Sequence, residues 1–277
     1  MNIVDIIIEA LRIGRAHRSL WLFGFLVGLG ASGGSGGGGG GAGAPAAAAA
    51  AAEPEFTLLL VLVGIALVVG FVILKFVSAG ALIEGVKRAR ENRPLTVREG
   101  FREGWAHWGV LLRIAVLYLV ANGISVALLM GLSYLAGQVF GPPGFAVVGL
   151  LAVVVGVPWL VTLYIWQAFA ERIAVLENRR AVDAIRKARL FLHGRLQHGL
   201  KLAVAGFLGV VAVGAVGLAV VLPVGGLLAV SAPLWGIAPS VALGVLTLLP
   251  AVFMIIAFIG IMMSSVWTIG YLTQVAQ

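Results

Sequence analysis

The sequence predicts an all-α polytopic membrane protein: a transmembrane helical bundle of six spans, three basic amphipathic interfacial helices and a three-fold internal repeat. Three observations predict it. The chain is 61% hydrophobic and only 11% charged. Its nineteen Lys and Arg residues fall, but for Lys75, in three short clusters. The segments between and after those clusters are long and apolar.

Composition decides the class first. A soluble domain carries about 25% charged residues. A chain of 277 residues with 11% cannot coat itself for water, so lipid must cover most of it. Cysteine is absent, which excludes disulfides, thiol nucleophiles and cysteine metal sites. A formal net charge of +8 would suggest nucleic acid in a soluble protein. In a membrane protein the same charge belongs on cytoplasmic loops, so no nucleic-acid partner is expected.

A membrane helix needs about 20 mainly apolar residues. Residues 56–79, 109–137, 145–169, 202–230 and 240–273 meet that length. Residues 19–31 fall short and reach it only by continuing from the helix before. Backbone at membrane depth must satisfy its own hydrogen bonds, so these stretches are expected to be helices. The apolar runs are continuous rather than alternating, which argues against barrel strands.

Charge then sets orientation. The segment before residue 20 holds Arg12, Arg15 and Arg18. Segment 84–113 holds seven basic residues and segment 171–201 holds eight. Segments 32–55, 138–144 and 231–239 hold none. The basic segments are expected to face the cytoplasm, with both termini on the cytoplasmic side of a bacterial inner membrane. The first apolar stretch also has the layout of a signal peptide, with Arg12–Arg18 as its charged region. Asp5 and Glu9 suit a retained amphipathic helix better.

The clusters share a plan. Val4, Ile7, Ile8 and Leu11 form one apolar stripe. Val97, Phe101, Trp105 and Trp108 form a second, and Ala181, Ile185, Ala188 and Leu192 a third. Steps of three and four residues place each set on one helix face. Basic amphipathic helices of this kind lie in the membrane surface. Glu91-Asn92-Arg93 precedes the second and Glu177-Asn178-Arg179 the third. Thr96 with Glu99 reads as a capping box. One membrane domain over residues 1–277 is therefore expected, in units of about 1–80, 81–170 and 171–277.

Glycine fills 33–41 but for Ser35, and alanine fills 46–52. A phosphate-binding loop would need a preceding strand and a Lys-Ser/Thr pair. Neither is present, so 32–55 reads as a flexible external loop.

No catalytic, metal or cofactor set emerges. His193 and His198 are five apart and do not share a helix face as i, i+4 zinc ligands would. His17 and His107 stand apart from them. Glu99 and Glu103 share a helix with Arg98 and Arg102, which reads as a solvated ion-paired face. Ionisable groups at mid-span, which ion-coupled transport requires, are absent. The polar residues nearest the membrane interior are Asn122 and Gln167, the candidate intramembrane polar site. Ser125, Ser133, Ser264, Ser265 and Thr268 more often bond helix to helix. Ala205, Gly209 and Gly217 form a close-packing stripe. Most of the tryptophans, including Trp21, Trp166, Trp235 and Trp267, fall at predicted boundaries, as aromatic belts do.

Several motifs carry a resemblance. Ser19-Leu20-Trp21-Leu22-Phe23-Gly24 opens the first span, and Ala81-Leu82-Ile83-Glu84-Gly85 leaves the second. Ala174-Val175-Leu176-Glu177-Asn178 precedes the third amphipathic helix, and Trp267-Thr268-Ile269-Gly270-Tyr271 closes the last span. With these the chain resembles bacterial six-span proteins related to the membrane domain fused to some glycerophosphodiester phosphodiesterases. The resemblance implies a membrane domain without the soluble catalytic barrel, and it carries over no functional residue.

The expected role is therefore non-enzymatic, with membrane lipids as partners. The candidate headgroup contacts are Arg88, Arg90, Arg93, Arg179, Arg180, Arg186, Lys187 and Arg189. The alternative is a transporter or channel for a neutral or lipid-like solute, built on Asn122 and Gln167.

Overall fold

Apolar runs of this length satisfy their backbone groups only as helices, and the computed structural model bears that out. It describes residues 3–17, 19–32, 54–91, 93, 95–193 and 196–275. Seven helices are found among them: α1 (Ile3–Ala16), α2 (Ser19–Ser32), α3 (Pro54–Arg90), α4 (Val97–Leu176), α5 (Ala181–Leu192), α6 (Leu196–Trp235) and α7 (Ile237–Val275). No strand occurs among the described residues. The Gly/Ala tract, Arg18, Arg195 and the side chains of Val4 and Trp235 lie outside what is described.

Helices α3, α4, α6 and α7 are long and apolar enough to cross a membrane. Between 6% and 22% of the most apolar window of each is buried in the protein. Leu62, Leu67, Leu119, Leu150 and Leu246 are all more than half exposed. Soluble monomers rarely expose apolar patches beyond a few hundred Å². The protein is an all-helical membrane protein whose spans need lipid to cover them.

Helix α2, with 14 residues, does not continue from α1. Helix α1 ends before His17, and the Trp21 indole Nε1 of α2 donates to the Gly14 carbonyl of α1 at 2.7 Å. That bond assigns Trp21 a local task besides any boundary role.

The 80 residues of α4 are not one rod. Gly141 interrupts them at φ 71°, ψ −165°. The two arms then run antiparallel: Trp159 Nε1 donates to Ser125 Oγ at 3.0 Å, Gly156 meets Leu129, and Gly137 meets Phe145. Helices α6 and α7 form a second hairpin about Gly236, at φ 89°. There Gly217 meets Ile255 and Gly209 meets Met262. The predicted small-residue stripe on α6 is thus a packing face, and Ala205 beside it is fully buried.

The chain forms two compact units, residues 1–108 with 205–277 and residues 109–204. In the first, α2 packs closely on α7. A Cβ on Gly24 would strike the Ala257 carbonyl, and one on Gly260 would strike the Gly24 carbonyl. Gly24 and Gly28, four apart, are the small-xxx-small pair that lets membrane helices touch backbone to backbone. Around this crossing lie Leu20, Phe23, Leu82, Ile261 and Trp267, all fully buried. In the second unit, Leu111, Ile114, Phe169, Ile173, Ala184 and Leu192 are fully buried. Each core includes residues close to a basic cluster, while Leu62, Leu67, Leu119, Leu150, Leu222 and Leu246, further along the spans, are exposed.

The repeated Glu-Asn-Arg motif has a structural meaning. The Arg93 N–H donates to the Arg88 carbonyl at 2.9 Å, and the Arg179 N–H to the Ala174 carbonyl at 3.1 Å. Each bond spans five residues at the end of a helix, α3 in one case and α4 in the other. That is the six-to-one bond of a Schellman stop, which at the end of α4 has asparagine at the left-handed position. Asn178 holds φ 51° there. The capping box also forms: Thr96 N–H donates to Glu99 Oε2 at 3.1 Å and Glu99 N–H to Thr96 Oγ1 at 3.4 Å. The Thr96 backbone bond holds the Glu99 carboxyl below its usual range.

Candidate functional site

The predicted headgroup contacts lie at the basic helix ends and divide into two groups. Arg88 and Arg90 serve the fold. Arg88 reaches Glu84 at 3.4 Å, Glu103 at 3.2 Å and Glu99 at 4.0 Å. It therefore ties the end of α3 to the first turns of α4. Arg90 pairs with Glu9 of α1 at 3.2 Å. Both guanidiniums are about one-third exposed or less, at 27% and 34%. In the second unit, Glu177 accepts from Arg179 at 2.9 Å and from Lys187 at 2.6 Å. Glu177 thereby pins the first turns of α5 to the stop that ends α4. Arg189 lies over the Trp166 ring at 5.5 Å, a cation–π contact that stabilises by about 0.5–1 kcal/mol at an exposed site.

The second group is Arg93, Arg180 and Arg186. All three are exposed, and none has an ion-pair partner among the described residues. Arg180 is the N-cap of α5, and its side chain makes no capping bond. Three guanidiniums are thus free to meet an external anion, where a forked donor suits phosphate.

The apolar stripes beside these charges differ in direction. On α4, Val97 and Trp105 are exposed at 39% and 60%, while Gly100 and Gly104 face the protein against Phe23 and Val77. Trp105 and Trp108 lie 6.0 Å apart on the outward face. On α1, Ile6, Ala10 and Ile13 are buried and Ile8 is exposed. The third stripe turns inward: Ala181, Ala188 and Leu192 are buried, and Val182 and Leu190 form the exposed apolar face instead. Alanine lets α5 approach its neighbours closely, and this inward packing was not legible from periodicity.

Asn122 and Gln167 are not joined. Asn122 Nδ2 donates to the Tyr118 carbonyl at 2.8 Å, and Gln167 Nε2 to Glu171 Oε1 at 3.0 Å. Each bond stays within one helix. Glu171 also accepts from Arg172 Nη1 at 3.1 Å, and that arginine is buried. A cavity of about 300 Å³ lies between the arms of α4, lined by Val126, Leu129, Ser133, Phe145 and Gly156. The Ser133 hydroxyl is spent on the Leu129 carbonyl at 2.9 Å, so this cavity offers a solute little beyond hydrocarbon.

Other polar residues stay local. Thr268 donates to the Ser264 carbonyl at 2.8 Å, and His107 Nδ1 lies 2.9 Å from the Glu103 carbonyl. His193 and His198 are exposed. Among the described residues no group of three or more His, Asp or Glu is placed to hold a metal. Comparison with family models, curated proteins and solved structures finds no match for the chain.

Proposed function

We propose that the chain is a six-span, non-enzymatic protein of the bacterial cytoplasmic membrane that binds anionic lipid headgroups through its basic helix ends. Both termini lie in the cytoplasm in this reading, because all three basic clusters then face inward. The two hairpins about Gly141 and Gly236 support four of the spans. Helix α3 supplies a fifth, and the sixth in this reading is α2, whose 14 residues fall short of the usual span length. The helix-stop motif shared by α3 and α4 supports repeated units. The resemblance to phosphodiesterase-linked membrane domains belongs to the same proposal.

One observation carries the lipid role. Arg93, Arg180 and Arg186 are exposed and unpaired among the described residues, and the helices that follow or carry them, α4 and α5, expose the apolar side chains Val97, Trp105, Val182 and Leu190. Each basic residue at an anionic surface contributes about 1 kcal/mol. Replacing all three with Gln is therefore expected to lower co-purified anionic lipid by roughly tenfold or more. The same protein with Arg88→Gln should lose stability instead, with its lipid content little changed. Lipid analysis by mass spectrometry checks both. An unchanged lipid profile in the triple variant, with folding intact, would remove the lipid role.

A further inference from the structure

We infer that the second compact unit holds a discrete site for one anionic glycerophospholipid, with its phosphate between Arg113 and Arg180. The assignment rests on the headgroup reading above and deepens it by naming an occupant and a second arginine. A groove of about 740 Å³ is lined by Val110, Arg113, Val116, Leu117, Arg180, Val182 and Asp183, among others. Arg113 comes from the first arm of α4, and Arg180 stands immediately before α5. Both are exposed, and neither has an ion-pair partner among the described residues. Two forked donors opening on one groove suit a phosphate, which each can grip through two N–H groups.

Asp183 lines the same groove but is not left as a bare negative charge. It sits in the first turn of α5, where a carboxylate complements the amino end of the helix. Its charge is thereby partly offset, and the groove keeps two cations against one acid.

The apolar wall decides between a lipid and a free phosphate. Val116 and Leu117 are each 48% exposed, and Val182 is 70% exposed. From Leu117 the exposed face continues through Val120 and Ile124, at steps of three and four residues. From Arg113 to Ile124 the helix rises about 16 Å. That is close to the depth of one leaflet, half of a hydrocarbon core about 30 Å thick. A phosphate at the guanidiniums would leave its acyl chains alongside this track.

Native mass spectrometry of the detergent-solubilised full chain with added phosphatidylglycerol tests the site. The wild type is expected to hold one tightly bound phosphatidylglycerol in preference to phosphatidylcholine. The Arg113→Gln/Arg180→Gln variant is expected to lose at least tenfold in that affinity, whereas Arg98→Gln, which does not line the groove, keeps it. Arg113→Lys/Arg180→Lys should restore part of it, because charge returns without the fork. If the double Gln variant does not fold, Arg180→Gln alone, whose side chain makes no cap bond, should still lose about fivefold. Wild-type affinity in a folded Arg113/Arg180 variant would overturn the site while leaving the general headgroup reading standing. No preference for phosphatidylglycerol in the wild type would overturn both. Displacement by glycerol phosphate at equal concentration would overturn the lipid as occupant.

Discussion

Replacing Gly260 with Ala should cost about 3 kcal/mol, the upper end of what overpacking costs. A Cβ there would overlap the Gly24 carbonyl oxygen and lie 2.8 Å from the Gly24 carbonyl carbon and 3.0 Å from the Gly28 nitrogen. These are backbone atoms of α2, so no side-chain rotation relieves the clash. The two helices must separate, and the residues packed about the crossing lose their contacts. Gly24→Ala meets the same obstacle from the other side, against the Ala257 carbonyl and, at 2.6 Å, Ile261. In detergent the melting temperature should fall by roughly 10 °C for either variant. Gly64→Ala and Gly70→Ala are the controls, because nothing lies within 4 Å of a Cβ at either position. Alanine favours helix more than glycine, so those two should be neutral or slightly stabilising. Equal losses at all four positions would contradict the close crossing.

Gly141→Ala should cost about 2 kcal/mol, for a different reason. At φ 71° and ψ −165°, the backbone occupies a region open in practice only to glycine, and other residues there cost about 1–3 kcal/mol. A Cβ would have room, since its nearest neighbour is Pro143 Cδ at 3.9 Å. Strain in the backbone, and not crowding, therefore sets the loss. Pro142 and Pro143 follow the turn; their missing N–H groups fall where a new helix has no partner for them. Thermal unfolding of Gly141→Ala beside Gly149→Ala, a helical glycine with open space around it, checks the turn. A loss at Gly149 matching that at Gly141 would remove the special role of the turn.

Much of this architecture was legible in the sequence because it follows from solvent. Apolar length defines α3, α4, α6 and α7, and Thr96 with Glu99 marks the start of α4. Turn chemistry was partly legible: Gly-Pro-Pro at 141–143 announces an interruption, though not an antiparallel return. The helix crossing was written as Gly24 and Gly28 four residues apart, the same kind of signal as the small-residue stripe on α6. The roles of Arg88 and Arg90 could not be read, because Glu103 and Glu9 reach them only through tertiary packing. Periodicity likewise shows that Ala181, Ala188 and Leu192 share a face, but not that this face turns inward. The groove beneath Arg180 joins residues almost seventy positions apart, which no local pattern records.

The central claim is a chain crossing the membrane six times with every basic helix end on the cytoplasmic side. The sequence contains no cysteine, so single cysteines can be introduced without removing any. Labelling of intact cells with a membrane-impermeant maleimide measures their side directly. Gly38→Cys, Gln138→Cys and Ala232→Cys should label in intact cells. Arg98→Cys and Arg186→Cys should label only after the membrane is permeabilised. Labelling of Arg98→Cys or Arg186→Cys in intact cells would contradict the account.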